Sequence, residues 1–238
     1  MMSRHKELIS RARNIGVELS ADEIKSFDDF EELINIENDK YNLVASADHQ
    51  SIISHYIDSL SVSTYPHYKD AKKVLDIGSG AGFPGIPLKI VFPKTALVIV
   101  ESRQKRAHFL ELVITKLGLS GVIVSNQRVE EFGQNQKNRE IFDIVLARAV
   151  ASLNVLLEYA IPLLTIGGRF IAYKGRKKDL EIEEARPALV EFGAELEEVL
   201  SLDIEPGKDR SLVVIRKLSP TPAKYPRRQG MPGKRPIK

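Results

Sequence analysis

A chain of 238 residues, 43% hydrophobic and 28% charged, has the makeup of an ordinary globular protein with a substantial core, neither disordered nor fibrous. It contains no cysteine, which excludes disulfides, thiolate metal centres, iron–sulfur clusters and any thiol nucleophile. The net charge of +3 is unevenly spread: residues 219–238 hold six bases and no acid, leaving 29 bases against 32 acids before them.

Arg4, His5, Lys6 and Glu7 stand where a secretory leader builds its apolar run. The most apolar stretch, residues 150–168, is broken by Asn154, Glu158 and Pro162. No membrane segment and a cytoplasmic location are therefore expected. The first seventy residues read as a helical extension. Ser20 followed by Glu23 is a capping-box pair, with Phe27, Phe30, Leu33 and Ile34 at helical spacing behind it. A second periodic run, Ile52, Ile53, Tyr56, Ile57 and Leu60, follows Tyr41-Asn42-Leu43. His55, on that otherwise apolar face, reads as a satisfied core or surface residue rather than a catalyst. Together with His5, His49, His67 and His108 it shows no metal-ligand spacing, so no metal is expected.

At Lys73 the period changes. β-branched runs at 74–77, 96–100, 122–124, 141–146 and 168–172 alternate with helical segments at 84–91, 102–117 and 152–163. This alternation predicts right-handed βαβ units and a mostly parallel sheet covered on both faces. A charged helix at 179–192 precedes two more strands, 195–202 and 211–216, joined by Glu205-Pro206-Gly207-Lys208-Asp209. So short a connection turns the last strand antiparallel. The expected fold is α/β: a Rossmann-like domain with seven strands over 71–218, a helical extension over 1–70 and a basic tail over 219–238. Five of the twelve prolines fall in the tail, which reads as an extended arm, either solvated or laid on a polyanion such as RNA.

The most informative segment follows the first strand, Asp76-Ile77-Gly78-Ser79-Gly80-Ala81-Gly82-Phe83-Pro84-Gly85. Ligands of open parallel sheets bind beyond the carboxyl ends of the strands, where the strand order reverses. Glycines there let the backbone turn and approach a ligand closely. A dinucleotide fingerprint would put glycine where Phe83 stands, and Pro87 and Pro93 shorten the next helix, so the loop suits a cofactor without pyrophosphate. Glu101, 23 residues after Gly78, can accept from both hydroxyls of a ribose, or can simply offset a helix dipole. Loop and acid together point to S-adenosylmethionine. Residues 125–132 are placed to hold its adenine, with Val129 over the ring. Arg148, ending the fourth strand, matches a cofactor carboxylate, an RNA phosphate or a surface salt bridge. Lys174, Arg176, Lys177 and Lys178 read as phosphate contacts or as a solvated helix start.

The missing cysteine excludes methylation of a pyrimidine at carbon 5, and Ala147-Arg148-Ala149 stands where exocyclic-amine methyltransferases carry Asn/Asp-Pro-Pro-Tyr/Phe. Guanine N7 already presents a lone pair, so its methylation needs no general base, and none is expected. A nicotinamide-dependent oxidoreductase on the same glycine turn and a non-catalytic RNA-binding module remain as alternatives.

The loop with its extension Ile86-Pro87-Leu88 resembles the RsmG family, also called GidB. So do Tyr41-Asn42-Leu43, His55-x-x-Asp58-Ser59, Arg128-Val129-Glu130-Glu131-Phe132, Arg148-Ala149-x-Ala151-Ser152-Leu153, Lys174-Gly175 and Tyr225-Pro226-Arg227-Arg228-x-Gly230-x-Pro232. The resemblance covers essentially the whole chain. It implies a class I S-adenosylmethionine-dependent methyltransferase, a monomer, that methylates guanine N7 in 16S ribosomal RNA or the small ribosomal subunit, at guanine 527 in the family. It places cofactor contacts on Gly78, Phe83, Val129, Glu130 and Arg148, with Glu101 as the acid after the second strand. Gly80 joins them as part of the loop. RNA contacts are expected at Arg148, Lys174, Arg176, Arg227 and Arg228.

Overall fold

The change of period at Lys73 coincides with the start of the sheet. The computed structural model describes residues 2–205 and 207–238. Its strands are β1 (Lys73–Ile77), β2 (Ala96–Val100), β3 (Val122–Ser125), β4 (Phe142–Arg148), β5 (Leu164–Lys174), β6 (Ala194–Leu202) and β7 (Arg210–Lys217). They form one sheet in the order β3-β2-β1-β4-β5-β7-β6. The first five strands are parallel, and β7 runs antiparallel to both β5 and β6, as the short connection predicts. Pro206, part of that connection, lies outside the described residues.

Alternate residues of each strand serve opposite faces, and both faces are covered, which is why the strands read as continuous apolar runs. Val74, Ile99, Leu146, Ile171 and Val214 point to a layer of α1 (Met2–Asn14), α2 (Ala21–Tyr41), α3 (His49–Leu60), α4 (Gly85–Val91) and α5 (Gln104–Lys116). Leu75, Val100, Val145, Phe170 and Val213 point to α6 (Val129–Gln134), α7 (Leu153–Ala160), α8 (Lys178–Glu191) and the tail. The predicted capping box opens α2: Ser20 Oγ accepts from the Glu23 N–H, and Glu23 Oε2 accepts from the Ser20 N–H at 2.7 Å. The buried Phe27 and Phe30 then carry α2 onto the sheet layer, so the N-terminal helices share one apolar cluster with the strands. The helix expected over 152–163 stops at Ala160, where Pro162 interrupts α-helical hydrogen bonding and a 3₁₀ turn, Ile161–Leu163, takes over. Among the described residues, no helix is long and apolar enough to cross a membrane.

The tail is not the extended arm that its composition predicts. Tyr225 is buried edge-on against Phe192, with ring centroids 4.8 Å apart, and its hydroxyl donates to Glu191 Oε1 at 2.8 Å. Arg227 grips the Glu158 carboxylate through Nε and Nη2 at 2.6–3.1 Å, and Glu158 is only 1% exposed. Gly230 donates its N–H to Glu130 Oε1 at 2.9 Å, and a short helix, α9 (Met231–Lys234), follows. A proline-rich chain has few conformations to lose on docking, so a handful of anchors suffices to order it.

Candidate active site

Between β1 and β4 the strand order reverses, and the loops that leave these two strands part to form a crevice on the carboxyl edge of the sheet. The loop after β1 is tied down from three sides. Gly78, at φ +70°, donates its N–H to the Val100 carbonyl at 2.8 Å. Asp76 Oδ2 accepts from the Ser79 hydroxyl at 2.5 Å and from the Gly85 N–H at 2.8 Å. Glu101 accepts from the Gly80 N–H at 3.1 Å through Oε2 and from the Arg103 N–H at 2.8 Å through Oε1.

Asp76 is fully buried and its Oδ1 has no partner. Burial pushes its carboxyl up to about 6, although the bonds from Ser79 and Gly85 pull the other way. The folded chain thus holds this proton more tightly than the unfolded chain, and Asp76 makes stability fall as pH rises from about 4 to about 6. Relative to wild type, the Asp76→Asn variant should therefore gain up to about 3 kcal/mol across that window, read as the difference between two urea-unfolding series. A difference independent of pH would mean that Asp76 ionises normally in the folded chain.

Two cavities open on this edge. The first, of about 180 Å³, lies over β1 and β2 and is lined by Ile77, Gly78, Val100, Val129, Glu130, Val150 and Tyr159, among others. A Cβ on Gly78 would come within 2.8 Å of Val150 Cγ2, so the turn needs glycine both for its φ and for its clearance. The second cavity, of about 390 Å³, lies over β4, β5 and the start of β7, and takes in His55, Asp58, Arg148, Tyr173, Lys174 and Arg210. Ala151 borders both. It belongs to the turn after β4, in which Ala149 adopts φ +56°.

The expected cofactor residues divide between these places. Gly78, Val129 and Glu130 line the first cavity. Gly80 and Glu101 do not: Glu101 is 4% exposed and acts from beneath, bracing the loop through the Gly80 N–H. The Phe83 side chain turns away into an aromatic cluster with Phe30, His55 and Tyr56, because α2 and α3 present rings there to bury it. Arg148 lines the second cavity, where its guanidinium rests 5.0 Å above the Phe83 ring and donates from Nη1 to Asp58 Oδ2 at 2.8 Å.

The expected RNA residues also separate. Lys174 is held inside: its Nζ donates to the Ala151 carbonyl at 2.9 Å and to Glu181 Oε2 at 2.6 Å, which steadies the turn after β4. Arg227 is committed to Glu158. Arg176 and Arg228 are exposed. His55, read from the sequence as a core or surface residue, packs on Phe83 and also borders the second cavity. Burial, with Arg148 beside it, holds its imidazole down to about 4, so it is neutral above that pH. Tyr173 and Arg210 are not among the residues the sequence points to, and Asp58 stands among them only in the motif His55-x-x-Asp58-Ser59, with no role attached. The i, i+3 spacing of His55 and Asp58 was a usable signal, since it places both on one face of α3. Arg210 had none, because only the strand reversal at β7 brings it to this edge.

A family model described as rRNA small subunit methyltransferase G matches residues 23–213, from α2 into β7. The ribosomal RNA small subunit methyltransferase G of Carboxydothermus hydrogenoformans is 44% identical over 225 residues, covering 93% of this chain and 95% of that protein. The protein of the same name from Exiguobacterium sibiricum is 39% identical over 235 residues, 98% of each chain. Among solved structures, the O-methyltransferase from Bacillus cereus in complex with SAH superposes with a TM-score of 0.59 over 89% of this chain and 97% of that one. At 18% identity that likeness is one of fold. Since the match to the family model spans both cavities and the relatives align nearly end to end, this chain belongs to the rRNA small subunit methyltransferase G family.

Proposed function

We propose that this protein acts as a cytoplasmic monomer that transfers a methyl group from S-adenosylmethionine to N7 of a guanine in 16S ribosomal RNA, at the position that corresponds to guanine 527. The observation that carries this reading is the pair of adjoining cavities across the β1/β4 reversal, one floored by a glycine turn and the other lined by cations and two carboxylates.

The first cavity suits the cofactor. Gly78 leaves its floor clear, Val129 offers an apolar face for adenine, and Gln127, Arg128 and Glu130 surround it with polar groups. Glu101 keeps further lone pairs on its oxygens for ribose hydroxyls while it braces Gly80. When bound, S-adenosylmethionine supplies an electrophilic methyl group on sulfur.

The second cavity is the place for the acceptor base, which must leave its stack to reach it. The N7 lone pair forms the new N–C bond as the S–C bond breaks and its electrons stay on sulfur. The purine takes up one positive charge and no proton moves, so the chain's task is to hold two partners in line. His55, neutral at physiological pH, fits a site that transfers no proton. Exposed Arg176 and Arg228 are the proposed phosphate contacts.

N7-methylguanine is mapped in small-subunit RNA from cells with and without the gene, using borohydride reduction and aniline cleavage. One guanine should lose its methyl group in the deletion strain and regain it with purified protein and S-adenosylmethionine. Identical cleavage patterns in both strains would refute the assignment.

A further inference from the structure

One carboxylate in the second cavity is only half used. Asp58 Oδ2 accepts from Arg148 Nη1 at 2.8 Å, whereas Oδ1 accepts no hydrogen bond among the described residues. Arg210 Nε pairs with Oδ1 at 3.8 Å, too far for a hydrogen bond, and has no hydrogen-bond partner among the described residues. The Asp58 side chain is 14% exposed and that of Arg210 37%, so the carboxylate is mostly shielded while Oδ1 stays open to the cavity. A shielded carboxylate oxygen that faces a cavity with its acceptor capacity unused is available to a donor on an entering ligand.

We propose that Asp58 selects guanine as the methyl acceptor by accepting hydrogen bonds from the N1–H and the 2-amino group of the base. The proposal rests on the reading of this protein as a guanine N7 methyltransferase. A carboxylate presents two coplanar acceptors, which match the two adjacent donors on that edge of guanine. Adenine places an acceptor at N1 and has no 2-amino group, so Asp58 repels it. N7 lies on the opposite edge of the purine. Holding the N1 edge on α3 therefore turns N7 away from that helix, toward the turn after β4 that borders the first cavity. As the methyl group arrives, the ring becomes positive and the N1–H more acidic, so the bond to Asp58 tightens in the transition state.

The surroundings fit this role. Arg148 is a positioning residue: seated on Phe83, it takes one lone pair of Asp58 Oδ2 and leaves the other, together with Oδ1, for the base. Glu181, the other acid in the cavity, binds Lys174 and the Leu153 N–H through Oε2 and serves the wall. Asp58, His55 and Arg210 also border a neighbouring cavity of about 250 Å³, so the pocket continues on the side where adjoining nucleotides would lie.

The test uses the full-length protein and small-subunit RNA that carries, at the mapped position, either guanosine or inosine, which keeps N1–H and N7 but lacks the 2-amino group. Wild type should favour guanosine by about tenfold in kcat/KM and by about tenfold in affinity, the latter measured by fluorescence anisotropy with no methyl donor present. Asp58→Asn should lose about a hundredfold in kcat/KM on guanosine and treat the two RNAs alike. Its affinity for S-adenosylhomocysteine in calorimetry should match wild type, which shows that the variant is folded with its first cavity intact. The proposal fails if wild type shows no preference for guanosine, if Asp58→Asn keeps the full preference, or if Glu181→Gln abolishes it instead. Wild type that methylates neither RNA at N7 refutes the underlying reading, a result distinct from these three.

Discussion

The Gly78→Val substitution should lower affinity for S-adenosylhomocysteine by at least about a hundredfold, measured by calorimetry, while the chain still unfolds in a single transition. Two effects add. At φ +70° a β-branched residue is strained by roughly 1–2 kcal/mol. Its Cβ also falls 2.8 Å from Val150 Cγ2, and Gly78 and Val150 both line the first cavity. Val150 is 38% exposed on a turn and can give way, so the clash is relieved into the cavity rather than into the core. The fold therefore survives and the ligand is displaced. Affinity within tenfold of wild type would show that the cofactor binds elsewhere.

The Arg227→Ala substitution should cost about 3 kcal/mol of stability in urea unfolding, whereas Arg228→Ala should change it by less than about 0.5 kcal/mol. Removing the Arg227 guanidinium leaves Glu158, 1% exposed, with a backbone N–H as its remaining donor from the tail, and a buried carboxylate without its counter-charge is expensive. Arg228, next in sequence, is exposed. Its loss should appear in RNA binding, as a decrease of about one in the slope of log affinity against log salt. Equal destabilisation by both substitutions would mean that the tail is not anchored through Glu158. The tail also touches the proposed cofactor cavity, because Glu130 accepts from both the Gly230 N–H and the Tyr159 hydroxyl.

Much of this protein is legible locally. The strand and helix periods, the Ser20–Glu23 cap, the glycine turn and the antiparallel last strand all depend on residues close together in the chain, and each appears within a few residues of where the sequence puts it. The tail was misread for a related reason. Its composition describes an average residue, yet docking is decided by Tyr225 and Arg227, whose partners lie on α7 and α8.

The sequence by itself determined the α/β architecture and the place of the glycine turn, because side-chain period and backbone freedom act over a few residues. Tertiary structure decided which side chains serve which cavity. Arg148 meets Asp58 across 90 residues, and Gly230 meets Glu130 across 100. Pairs so far apart form only once burial has stacked both helical layers on the sheet, and no local pattern encodes which groups that packing leaves facing one another.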